Sequence, residues 1–96
     1  MKPSHALEMH RAEITRIVAR HRARNPRVFG SALNGQDTED SDLDLLIDRD
    51  AGMTLLDLGG IRYELKTLLG VEVDVLTPDA LPDRFRAQIL SEAEPV

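Results

Sequence analysis

Residues 1–96 read as a single small α+β domain, a mixed sheet of three to four strands with helices packed on one face. Two observations carry this. Short β-prone runs at 42–48 and 71–76 alternate apolar and acidic residues, so each presents one apolar and one acidic face. Stretches of helical period precede, separate and follow the β-prone runs, in the order α-β-β-α-β-α. At 96 residues the chain is shorter than an average domain, which leaves room for one core.

The elements follow in order. Leu7, His10, Ile14, Ile17, Val18 and His21 recur at helical spacing and predict one helix over 5–24. Ser4 after Pro3 stands where an N-cap would, and Asn25-Pro26 ends the helix, because a residue before proline avoids the α region. Arg27-Val28-Phe29-Gly30 is a short strand stopped by glycine, and residues 31–41 are small and polar, a loop or one helical turn. Residues 42–48 form the second strand. Residues 54–69 form a helix with Leu58, Ile61, Leu65, Leu68 and Leu69 on one stripe and Gly70 at its C-terminus. Gly59 and Gly60 weaken it by roughly 1 kcal/mol each, so they permit close packing or mark its true start. Residues 71–76 form the third strand, and Pro82 opens a last helix running to about Glu92.

Composition excludes several functions. The chain has no cysteine, so disulfides, zinc–thiolate sites and thiol catalysis are out. Phe29, Phe85 and Tyr63 are its only aromatic residues, too few for a stacking platform for single strands. No apolar run reaches the ~20 residues of a membrane span, and the start carries no apolar leader, which points to the cytoplasm and to no membrane partner. Residues 1–27 hold seven basic and two acidic side chains, the remainder five basic and fifteen acidic. An acidic body repels a nucleic-acid backbone, so the basic segment reads as the solvated face of an amphipathic helix and no direct nucleic-acid binding is expected.

The chemistry lies in the carboxylates. Alternate strand residues share a face, so Asp42 and Asp44 point the same way, about 6.8 Å apart along the chain. Leu43, Leu45 and Ile47 face the core. In the third strand Val71, Val73 and Val75 face the core while Glu72 and Asp74 face away. If the two strands are neighbours, Asp42, Asp44 and Asp74 converge, and converging carboxylates repel unless a cation lies between them. Hard oxygen donors suit Mg²⁺, which also takes phosphate oxygens. Asp-x-Asp alone occurs often and favours a solvated acidic strand face over a metal site. An EF-hand starting at Asp40 fails, because Leu45 and Ala51 occupy the positions of its glycine and its glutamate. Upstream, Gly30 lets a phosphate approach the backbone, Ser31 offers a hydroxyl, and Gly35 closes a turn. The combination of Gly-Ser, ten residues, Ser-Asp-x-Asp and a later strand Asp is far more specific than its parts.

That combination, Phe29-Gly30-Ser31 through Ser41-Asp42-Leu43-Asp44-Leu45-Leu46-Ile47, resembles the signature of the nucleotidyltransferase superfamily related to DNA polymerase β. More closely, Val28–Val96 is similar to the minimal nucleotidyltransferases that accompany HEPN toxins as antitoxins, including Leu55–Gly60, Val73–Thr77 and the ending Ile89–Ala93. The resemblance implies the polymerase β-like nucleotidyltransferase fold. It implies Asp42 and Asp44 as ligands of two Mg²⁺ ions and Asp74 as a third ligand and base. Gly30 and Ser31 are then the triphosphate cradle, ATP the substrate, and a tyrosine hydroxyl of the cognate HEPN toxin the acceptor of AMP, within a hetero-oligomer. Family loops often read Gly-Ser-x-x-Arg-Gly; here Asn34 takes the arginine's place and brings hydrogen bonds to the nucleotide but no charge.

Two functions follow from this reading, a metal-dependent protein adenylyltransferase and a non-catalytic antitoxin that neutralises by contact. A free-standing enzyme on a small molecule ranks third, because no acceptor-binding domain is present. His10 and His21 read as packing or hydrogen-bonding residues, His5 as solvated, Tyr63 as structural, Asp37, Glu39 and Asp40 as loop surface, with Asp40 also placed to support the site, and Ser41 as orienting the loop before Asp42. Arg49 and Arg62 are the cations that would replace the missing arginine.

Overall fold

The computed structural model describes all 96 residues. The chain runs through α1 (Pro3–Met9), α2 (Arg11–Arg20), β1 (Ala23–Phe29), α3 (Ser31–Asn34), β2 (Leu43–Arg49), α4 (Leu55–Leu69), β3 (Val73–Leu76), a 3₁₀ turn (Pro78–Ala80), α5 (Asp83–Glu92) and β4 (Glu94–Pro95). The strands form one mixed sheet in the order β3-β2-β1-β4. β1 and β2 are antiparallel, β2 and β3 parallel, with α4 as the crossover between them.

The expected helix over 5–24 is two helices. Their axis breaks at His10, whose φ of −132° leaves the helical region. No glycine or proline marks this break. The apolar stripe continues across it, with Ala6 and Leu7 on one side and Ile14, Ile17 and Val18 on the other, all buried. Ser4 does not cap α1; Lys2 is the N-cap residue and makes no side-chain cap. α2 ends at Arg20, and Asn25-Pro26 lies inside β1 rather than ending a helix. The strand starts four residues earlier than expected and absorbs the pair in a bulge. The β1–β2 register shifts between Arg24 and Arg27, and Asn25 adopts φ of 54°. A bulge is where a strand tolerates a residue without an N–H.

α4 opens with a capping box in which Thr54 and Asp57 exchange side-chain and backbone hydrogen bonds, and closes on Gly70 at φ 70°. Gly59 and Gly60 lie inside it. A β-carbon on Gly60 would lie 2.7 Å from the His21 ring, whereas one on Gly59 would meet nothing within 4 Å. Gly60 therefore permits close packing, and neither glycine starts the helix. His21 also binds Glu64, so it is the expected structural histidine; His10 Nδ1 likewise lies 3.1 Å from Glu13 Oε2.

Leu43, Leu45, Ile47, Val28, Val73 and Val75 form the apolar sheet face, and Ile14, Val18, Ile61 and Leu65 pack on it from α2 and α4. The opposite face is not wholly solvated. Leu46, in line with Asp44 and Asp48, is fully buried outside the main core, as is Leu81, where the 3₁₀ turn contacts β2. Residues 77–93 carry the chain from the β3 edge to β4 at the other edge, and α5 itself contributes no buried residue. No helix is long and apolar enough to cross a membrane.

Candidate active site

Strand pairing assembles the site. The parallel β2–β3 register sets Asp44 opposite Asp74, as Leu43 sets opposite Val73. The antiparallel β1–β2 register sets Phe29 opposite Asp44, which delivers the end of β1, and Gly30 after it, to the same place. Asp42 lies one residue before β2, in exposed loop rather than strand. Asp44 is half-buried and Asp74 exposed.

The electrostatics record the convergence. Burial first, then the negative charges of Asp74 and Asp42, push the Asp44 carboxyl from 3.8 up to about 6. The site is thus one where excess negative charge gathers and a cation would be stabilised. As donors the three aspartates fit Mg²⁺ in kind, hard anionic oxygens in excess of nearby positive charge. They do not form a preformed three-ligand cage, since no group of three such side chains stands close enough to enclose an ion.

Gly30 is held to glycine by Asp44. It caps α3 with φ 76° and ψ −151°, and a β-carbon there would collide with Asp44 Oδ2. Ser31 is the first residue of α3, so its amide and that of Ala32 have no intrahelical acceptor. Hydroxyl and amides therefore start beside the acid pair. Gly35 closes this single turn at φ 70°, as expected from the sequence. Asn34 ends α3, exposed, its own N–H bonded to Gly30 O. The loop back to β2 is ordered locally. Thr38 N donates to Ser41 Oγ at 2.9 Å and Ser41 N to Thr38 O at 3.1 Å, so Ser41 does orient the approach to Asp42.

Neither candidate cation is free at the cradle. Arg62 Nε donates to Val73 O at 3.1 Å, and the guanidinium lies 3.7 Å from Glu72. Arg49 lines a separate hollow of about 400 Å³ with Arg24, Asp48 and Asp79. A further hollow of about 430 Å³ is bounded by Glu39, Asp40, Asp42, Glu72 and Lys66, with Lys66 tied to Glu72 at 2.8 Å. Glu39 and Asp40 are exposed, as expected of loop surface.

Two expectations are overturned. Asp37 is not surface but 5% exposed, and its Oδ2 accepts the Ser4 N–H at 2.8 Å. Tyr63 is not structural; it stands 71% exposed on the outer side of α4. No local pattern distinguishes Asp37 from its acidic neighbours, because its partner lies 33 residues away.

Comparison with known proteins identifies the fold and the family. A nucleotidyltransferase-domain family profile matches residues 13–96. A protein of Methanocaldococcus jannaschii, named as a candidate protein adenylyltransferase, is 38% identical over 81 residues, 84% of this chain and 87% of its own length. The protein adenylyltransferase MntA of Thermococcus cleftensis is 35% identical over 65 residues, 68% of this chain and 66% of its own. A solved structure described as a candidate minimal nucleotidyltransferase superposes with a TM-score of 0.86 at 43% identity, covering 97% of this chain and 95% of the other. A toxin–antitoxin structure with AMP-PNP shares the fold, with a TM-score of 0.73 at 15% identity, over 88% of this chain and 69% of the other. With the family profile spanning residues 13–96 and the 43%-identical structure covering 97% of the chain, the chain belongs to the nucleotidyltransferase family, among its minimal members.

Proposed function

We propose that this nucleotidyltransferase is an antitoxin that transfers AMP from ATP to a tyrosine hydroxyl of a cognate HEPN toxin, in the cytoplasm and within a hetero-oligomer. The observation that carries the reading is the Asp44–Asp74 pair, its excess negative charge set against the Gly30–Ser31 turn. The names of the relatives and the toxin–antitoxin neighbour support the acceptor class.

Asp42, Asp44 and Asp74 would hold two Mg²⁺ ions, which when bound polarise the α-phosphate and neutralise the leaving pyrophosphate. Gly30 gives the triphosphate close approach, while Ser31 and Asn34 hydrogen-bond its oxygens. Asp74 takes the proton of the acceptor hydroxyl as the oxygen–phosphorus bond forms and the α–β bridge breaks. The hollow lined by Asp42 and not by Gly30 or Ser31 is where an acceptor segment would enter.

A second reading, neutralisation by contact alone, is favoured by the uncharged Asn34 and by the absence of a free cation at the cradle. Co-expression with the neighbouring gene product separates the two. Catalysis adds about 329 Da per AMP to the toxin in the presence of ATP and Mg²⁺. The Asp42→Asn, Asp44→Asn double variant then loses both the added mass and the rescue of growth. Rescue by the double variant at wild-type level refutes the enzymatic reading.

A further inference from the structure

The loop at 35–42 spans the gap between the Gly30–Ser31 turn and Asp42. Most of its hydrogen bonds are local: Gln36 N to Ser31 O at 3.0 Å, and the cluster of Thr38, Asp40 and Ser41. One is not. Asp37 Oδ2 accepts the N–H of Ser4 at 2.8 Å. The burial of Asp37 disfavours its charge, but the Ser4 amide and hydroxyl, with Lys2 nearby, outweigh this and hold its carboxyl below the ordinary range. The only ion pair of the loop to a distant residue, Met1 to Glu39 at 3.8 Å, reaches the same terminal segment. That segment is rigidly seated, since Pro3, Ala6 and Leu7 are buried.

The bond is reciprocal. α1 has no capping side chain of its own at Lys2, so Asp37 satisfies a first-turn amide that would otherwise lack an acceptor. Equally, α1 is the anchor that stops the loop from sliding. We propose that Asp37 is a positioning residue for the transfer reaction: by clasping the start of α1 it sets the spacing between the triphosphate-binding turn at Gly30–Ser31 and the carboxylates Asp42 and Asp44. The α1 segment is then part of the nucleotide site without touching the nucleotide. This rests on the reading above that these residues hold ATP and Mg²⁺.

A cap that serves only α1 would affect stability; a positioning residue also affects the nucleotide. The test uses the full chain with its toxin, each variant assayed well below its own melting temperature. The readouts are ATP affinity in Mg²⁺ by calorimetry, and KM for ATP against kcat for AMP transfer. Asp37→Ala is expected to weaken ATP binding about tenfold or more, the usual cost of losing a supporting contact behind a site, and to raise KM while kcat at saturating ATP changes less. Asp37→Asn keeps an acceptor for the Ser4 amide and is expected to restore most of the affinity. Ile17→Val, which removes one buried methyl group from α2, outside both α1 and the loop, is the stability control and is expected to bind ATP as wild type does. Should Asp37→Ala fail to fold, Asp37→Ser, polar but too short to reach Ser4, replaces it with the same expected loss. Wild-type affinity in the shortened variant, or an equal loss in Ile17→Val, overturns the proposal. Gly30→Val distinguishes failure of the underlying reading: if it binds ATP as wild type does, the cradle itself is misplaced, and the role of Asp37 falls with it.

Discussion

Asp44→Asn is expected to stabilise the metal-free protein at neutral pH and to do nothing at low pH. The wild-type carboxyl titrates at about 6, raised from an ordinary 3.8 by burial and by Asp74 and Asp42. Between those values the native state binds more protons than the unfolded chain, so the contribution of Asp44 to stability falls as pH rises through about 6. At about 1.4 kcal/mol per pH unit the ceiling is ~3 kcal/mol. Asp44 is half-buried, and solvent screening brings this to about 1–2 kcal/mol. Asparagine carries no charge at any pH and still offers Asp74 a donor. The difference between variant and wild type is therefore expected to be near zero below pH 4, to grow through pH 6 and to level off by about pH 7.5. For a domain of this size, 1 kcal/mol moves Tm by about 4–8 °C, which thermal melts in a chelating buffer resolve. Lowered carboxyls elsewhere, such as Asp48 held by Arg27 and Asn25, act in the opposite direction, but they are common to both proteins and cancel. A Tm difference that is the same at pH 4.5 and pH 7.5 would refute the electrostatic account of the site.

Gly30→Val forces a β-carbon onto Asp44 Oδ2 at a positive φ, so ATP binding by calorimetry should be lost, with a stability cost of roughly 1–3 kcal/mol. Gly59→Ala, which faces open space, should stabilise α4 by about 0.5–1 kcal/mol in urea titrations, while Gly60→Ala should not, because the His21 ring must move from Glu64 to admit it. Leu46→Ala should cost about 2–5 kcal/mol although it lies on the acidic face, and a cost near zero would mean that the 77–93 segment does not seal that face.

What was legible in the residues was whatever is encoded locally. The alternation of Leu43, Leu45 and Ile47 with Asp42 and Asp44 follows from the two-residue period of the pleat, and the core burial of those leucines matches it. The stripe of α4 and its glycine stop follow from the helical period and from the left-handed conformation that Gly70 accepts. The spacing from Gly30-Ser31 to Asp42-x-Asp44, with a strand aspartate after a helix, already named the chemistry. Tertiary structure decided the rest. Which strand lies beside β2, and in what register, placed Asp74 opposite Asp44; a one-residue slip would have turned it to the core. The break at His10 and the bulge at Asn25-Pro26 left the hydrophobic pattern unchanged, so periodicity carried no trace of them. The burial of Asp37 and the exposure of Tyr63 went against their local surroundings, because each depends on what lies opposite in space. For Asp37 that is the amide of Ser4, 33 residues away, and a contact across that separation exists only once the chain has closed on itself.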